Sequence, residues 1–437
     1  MAGLSKGNPI TDLTGWVWHR LTANYWSLAL CAVITAPLFF VGTLALDRDG
    51  VTAWLLDNDL SPVTTSDTAK DVAGVVAGID AAFLTLFFSI SLLVLTIAAG
   101  NLGVRLIDRW LAKRMVRVSI AGLAFTLIYA VLTMAAIDAE AELSDTPLLC
   151  FIVSIAFLLV NIAMLAVATH DLGRTMFVDQ AIDALAKDAT DPQIEVAGVA
   201  GFDGTFAQTV PSPRNGYVEG VDLARLQKQL ADHHGTVRIC VAPGQHVFAN
   251  QPLMLLEHQH ADPGEFTSAI PIGAFRSNSE GAVFQIRLLV EIAARAMSPA
   301  INDFWTALVT ADALGEVMKG HRANWVDDGL MPTSVKSPSF ELPGQDFRGL
   351  FAAPLAAFRQ AAANYPSVTI RMIGNIERLM QQFRDEGCPD GLVTFLCEYA
   401  TQLADHASQR ADAEVDIHDI AEALGRVHRA AGSHNAT

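Results

Sequence analysis

Asp80 is the residue of this sequence whose chemistry is hardest to ascribe to ordinary solvation. It stands inside the stretch 72–100, which carries no other Asp, Glu, Lys or Arg. A charged group within a lipid-spanning segment is costly and commonly marks a polar pathway. Ser89 and Ser91 share that stretch, and Asn161 lies in a second uncharged run. Together these groups could line a pore; equally, the hydroxyls and amide could bond between helices. Asp80 itself could instead sit at an outer interface, with 72–79 folded outside the membrane.

A second polar cluster is Ser298, Asn302 and Asp303, in the run Ser-Pro-Ala-Ile-Asn-Asp between two helical patterns. At a helix N-terminus, free amides favour an anion, so the cluster could form a ligand or assembly contact. Asn302 or Asp303 could equally satisfy backbone donors as a cap. No Gly-x-Ser-x-Gly elbow surrounds Ser298, which speaks against a nucleophilic serine. Arg105, Arg109, Lys113 and Arg114 form a basic stripe suited to lipid headgroups or an anionic ligand. His258 and His260 flank Gln259 beside Glu257, without the further partners a metal requires. No phosphate-cradling Gly-x-x-x-x-Gly-Lys run occurs, and no GxGxxG follows a strand. The sequence therefore assigns no catalytic residue, metal or cofactor, and the chain is not read as an enzyme.

Four long uncharged runs position these groups: 21–46, 81–104, 118–137 and 146–169, of 26, 24, 20 and 24 residues. A hydrocarbon core of about 30 Å needs about 20 helical residues, so each run can cross once. The segment 101–117 carries five bases against Asp108, whereas 47–71 carries six aspartates against Arg48 and Lys70. The loop 138–145 has four acids and no base. Bases stay on the cytoplasmic side, which puts the 101–117 loop and both termini inside a plasma (inner) membrane. Pro37 is expected to kink the first helix.

The net charge of −17 lies mostly in residues 170–437, which hold twenty bases and thirty-three acids. So acidic a domain argues against nucleic acid as a partner. Five cysteines without a CxxC pair suit a reducing compartment. The pattern divides into a four-helix transmembrane domain (1–170), a connecting helix and linker (171–200), a small β module (201–280) and a mainly helical domain (281–437). The run GYVEGVD…GTVRICVAPGQHVFANQPLMLLE resembles the small barrel of biotinyl and lipoyl domains. Lys228 sits in an inserted helix rather than at the position those carriers modify. The fold class expected is membrane α-helical, plus an α+β cytoplasmic domain with a β-barrel-like module and a helical bundle.

The segment FQIRLLVEIAARAMSPAINDFWTA closely resembles the signature of the predicted membrane proteins grouped as domain of unknown function 2254. Their membrane half, GYV…D β segment and helix pair recur here in the same order. Where members often carry Pro after the Asn-Asp, this chain has Phe304 and Trp305. The resemblance implies a fold and no activity. Two functions follow as expectations. One is a homo-oligomeric channel- or transporter-like protein with a cytoplasmic assembly domain. The other is a membrane-anchored sensor or scaffold whose soluble domain binds a partner or small ligand. The lipid bilayer and further copies of the chain are the expected partners.

Overall fold

In the computed structural model of the chain, residues 27–102, 114–174, 178–231, 234–276 and 280–432 are described. They fall into two compact units, Met1–Phe177 and Val178–Thr437.

The first unit is helical. Helix α1 (Ser27–Leu46) contains Pro37 and runs through a π-type turn, Asp47–Val51, into a short helix, Thr52–Asp57. Helices α2 (Ser66–Leu102), α3 (Arg114–Ala136) and α4 (Leu148–Arg174) follow. All four are long and apolar enough to cross a membrane. Lipid leaves a backbone amide no water to bond, so helices that satisfy their own amides are the form such runs take. Leu38, Leu92 and Leu159 point outward at 69%, 63% and 62% exposure, as expected of helices apolar all round.

The expected loop 47–71 is largely helical instead. Helix α2 begins at Ser66, and at 1.5 Å per residue its 37 residues reach about 55 Å. Residues 72–79 are therefore helix within this element and not a separately folded segment. Its charged first turns, with Asp67, Lys70 and Asp71, read as loop by composition while their backbone is helical. Between the helices, Phe87, Leu123 and Leu172 pack at one level and Ile137, Leu148 and Phe151 at another. Asp47, 7% exposed, closes one end. Its carboxylate accepts from the amides of Leu149 (2.9 Å) and Cys150 (3.0 Å) and from the Thr52 hydroxyl (2.7 Å). A carboxylate against the free amides of a helix N-terminus is a favourable placement for both.

The second unit opens with α5 (Val178–Thr190) and contains, among the described residues, nine short strands: β1 (Val196–Val199), β2 (Gln208–Pro211), β3 (Gly216–Val218), β4 (Val237–Ile239), β5 (His246–Val247), β6 (Pro252–Leu256), β7 (Ile272–Gly273), β8 (Met331–Ser334) and β9 (Phe340–Glu341). Helix α6 (Leu223–Gln229) lies between β3 and β4 and carries Lys228, as the sequence places it. Six strands form one sheet in the order β1-β8-β9-β4-β6-β2, and β5-β3-β7 form another. All pairs are antiparallel except β4 with β9. These strands do not close into a barrel. The reason lies in the chain path: β8 and β9 come from 331–341 and enter between β1 and β4, which widens the sheet. Gly216 sits at φ 156°, where a Cβ would meet the Gly273 carbonyl oxygen at 2.5 Å, so the β3–β7 approach requires glycine.

Around the sheets lie α7 (Ala282–Ala296), α8 (Phe304–Gly320), α9 (Phe347–Ala362), α10 (Pro366–Asp385), α11 (Asp390–Ser408) and α12 (Glu414–Gly432). Ten of the fifteen α7 residues are buried, which makes it the central helix, packed on α5, α8 and α9. Asp312 on α8 accepts from Arg371 Nε and Nη2, each at 2.9 Å, and from Asn375 at 2.9 Å. Burial alone would raise the Asp312 carboxyl, but those donors outweigh it and hold it below the usual carboxylate range.

A depressed carboxyl stabilises the fold above its unfolded-state pKa, and that contribution is lost as pH falls through the folded value. Both partners are partly exposed, so Asp312→Asn should cost about 0.5–1 kcal/mol at pH 7. The gap from wild type should close on acidification below about pH 4. Phe383→Ala, at a fully buried position, should cost about 3–5 kcal/mol. Thermal unfolding of the 178–437 fragment checks both: a fragment that does not unfold cooperatively would refute the autonomy of this unit.

Candidate functional site

Three helices meet at Asp80. Helix α2 contributes Asp80, α3 contributes Thr126, and α4 contributes Asn161; they are 0%, 6% and 1% exposed. The Asn161 amide has two protons and uses both. One goes to Asp80 Oδ1 at 2.8 Å, the other to the Thr126 hydroxyl oxygen. That hydroxyl in turn donates within its own helix, to the Gly122 or Leu123 carbonyl at 3.1 and 3.2 Å. Asp80 Oδ2 is buried without a hydrogen-bond partner. The walls beside it are small and apolar: Val76, Ala77 and Ala130 are all buried. Asp80 and Asn161 thus meet as the sequence allowed, at a position about 21 Å along α2 from Ser66. This is an interior location rather than the end of the helix.

Thr126 carries no signal as a single threonine in an apolar run, yet its spacing does. Ser119, Thr126 and Thr133 recur every seven residues on α3 and are all buried, so they share one helix face. The hydroxyls of Ser119 and Thr133 have no hydrogen-bond partner, and neither does that of Ser91 on α2. Positions 80, 87 and 91 lie on one face of α2, which carries Asp80 and Ser91 inward together. Ser119 and Thr133 stand about 21 Å apart along α3, with Thr126 and the carboxyl between them. Ser89 behaves differently. It faces outward, and its hydroxyl bonds back to the Thr85 carbonyl at 2.9 Å, so it takes no part in this seam.

The other sequence candidates are placed as follows. Asp303 caps α8, its Oδ1 accepting from the Thr306 amide at 3.2 Å and its Oδ2 from the Thr306 hydroxyl at 2.6 Å. A carboxylate therefore already occupies the position an anion would take. Asn302 adopts φ 50° in the reversal between α7 and α8. The Ser298 carbonyl accepts from Ile301 and Asn302, and the Asp303 amide returns to Ala296. The cluster is brought together as a helix junction. Phe304 and Trp305 beside it are 42% and 67% exposed. Arg105, Arg109 and Lys113 lie outside the described residues, and Arg114 opens α3.

The model of a family described as predicted membrane protein, DUF2254, matches residues 22–378. Uncharacterized proteins of Mycobacterium bovis and Mycobacterium tuberculosis are each 25% identical to this chain over 391 residues, covering 83% of it and 73% of each relative. No solved structure matches the chain.

Removing one partner of a buried hydrogen bond strands the other, whereas replacing both can be nearly neutral. Asn161→Leu should therefore lower stability by about 1–3 kcal/mol, and Asp80→Leu combined with Asn161→Leu should recover most of it. Melting of the detergent-solubilised variants measures this, and simple additivity of the two changes would refute the pairing.

Proposed function

The chain belongs to DUF2254, a family of predicted membrane proteins, and from that premise we propose a channel- or transporter-type protein of the plasma (inner) membrane acting as a homo-oligomer. The carrying observation is the buried Asp80 carboxyl with its partnerless Oδ2. A structural bond to Asn161 needs one oxygen; the second stays available to a cation. Ser91, Ser119 and Thr133 supply further buried oxygens along the same helix faces. The acidic stretches 47–71 and 138–145 would concentrate cations at the entrance. Side-chain oxygens of this kind suit single small cations, and one four-helix unit rarely encloses a wide conduit, which is why we assign assembly of several copies. The basic stretch 101–117 supports cytoplasmic termini, with the second unit inside the cell. No catalytic role and no nucleic-acid partner is assigned.

The second reading is a membrane-anchored sensor or scaffold. It is favoured by a cavity of about 400 Å³ within the second unit.

Proteoliposomes of purified full-length protein test the first reading, with proton- and potassium-sensitive dyes reporting flux. Wild type should conduct at least one of the two cations, and Asp80→Asn should lower that rate about tenfold or more. Equal flux in both proteins, or none in either, would reject the conduit, and a monomer in detergent would reject its oligomeric form.

A further inference from the structure

The cavity of about 400 Å³ lies in the size range of small-molecule sites and is lined by none of the residues discussed above as candidates. Five separate stretches of chain build it: residues 193–194, the 242–246 turn, the approach to α7 with its first turns, the end of α8, and the segment leading into α9.

Its polar groups divide into those already committed and those still available. Asn324 donates to the Ile194 carbonyl and accepts from the Val196 amide. Gln345 donates to the Val241 carbonyl, and Gln245 accepts from the Ala242 amide. These three amides hold the walls. Arg287 spends one nitrogen on the Gly244 carbonyl at 3.1 Å. Gly244 sits at φ 76°, where a Cβ would fall 2.6 Å from a Glu280 oxygen and 2.9 Å from Arg287 Nη1. Only glycine lets the turn approach so closely.

Charge at the cavity is positive, in a chain that is strongly acidic overall. Arg276 and Arg287 both line it, and Glu280 is the one carboxyl among the described lining residues. Burial lowers the Arg287 pKa, and the neighbouring Arg276 lowers it further, against a smaller opposing pull from Glu280. Two guanidiniums that repel one another in a half-buried recess favour an added anion. Helix α7 reinforces this. It begins at Gly281 with no side-chain cap, and its first residues, Ala282 and Val283, line the cavity. The positive end of a fifteen-residue helix therefore borders the recess.

His321 ties one wall of the recess to the end of α5. It lines the cavity and is 2% exposed. Its Nε2 lies 2.7 Å from the Ala189 carbonyl, which can only accept, so the proton resides on Nε2. Burial lowers the pKa of the ring. Nδ1 is itself buried and has no hydrogen-bond partner.

We propose that this cavity binds a small oxyanion, a phosphate or carboxylate group, between Arg276, Arg287 and the N-terminus of α7. The proposal rests on the second reading of the function and is independent of conduction through Asp80. A soluble metabolite and a lipid headgroup could present the same oxyanion.

The test uses full-length protein in detergent, titrated with inorganic phosphate by calorimetry. Wild type should bind saturably with Kd below about 10 mM, and Arg276→Gln and Arg287→Gln should each weaken binding fivefold or more. Val283→Trp, which fills the recess without changing its charge, should abolish binding while the protein melts as wild type does. Should any variant unfold, phosphate protection of wild-type Arg287 against phenylglyoxal, read by peptide mass, decides in its place. Repeating the titration in phosphatidylcholine nanodiscs with and without phosphatidylglycerol separates the sources: competition by the anionic lipid indicates a headgroup, and its absence a soluble metabolite. No saturable binding by wild type, or equal binding by wild type and both arginine variants, overturns the site while leaving a scaffold role intact.

Discussion

A carboxyl group carried on an apolar helix has no water to turn to, and the membrane unit is arranged to answer that. Asn161 reaches across from α4 to give Asp80 one donor, and the same amide group ties in Thr126 of α3. Three helices are thereby fixed in rotation and depth by one side chain. The apolar contacts around them, Phe87 with Leu123 above all, are non-directional and would tolerate sliding. Hydrogen bonds within lipid are individually modest, so what this junction contributes is register more than strength. It also leaves the second carboxyl oxygen, Oδ2, buried without a hydrogen-bond partner.

The two units answer opposite solvents. Outward-facing leucines of α1, α2 and α4 are what lipid accepts, while α10 and α12 of the second unit turn apolar faces to their own core. Phe383 and Val427 are fully buried there, and Arg426 reaches Glu377 between the same two helices. The second unit thus has what an autonomous domain needs: two sheets with a shared apolar core, a central helix, and ion pairs spread over its surface.

Much of this was legible in the residues. Uncharged runs located the four helices that are long and apolar enough to span because formal charge is costly in lipid. The helix pair around Ser298-Pro299 and the cap at Asp303 followed from proline's effect on the preceding residue and from capping preference. What was not legible has physical causes. Asp67, Lys70 and Asp71 marked a loop by composition, yet a helix may carry charge wherever it leaves the lipid. Ser89 and Ser91 look alike in sequence, but two positions on a helix differ by 200°, so one faces out and the other in. The barrel expected from the β module failed because β8 and β9 arrive from more than fifty residues later in the chain, beyond the reach of a local pattern. The cavity was invisible for the same reason, since its walls come from five stretches that only the fold brings together.

The carboxylate of Asp47 has a further implication, for how the protein is made. It lies at the end of the first helix and grips amides at the start of the fourth, 102 and 103 residues downstream. Until ribosome and insertion machinery have delivered that last helix, Asp47 must stay hydrated or pair elsewhere. These bonds consequently form only once the fourth helix is in place, so they complete the bundle rather than begin it.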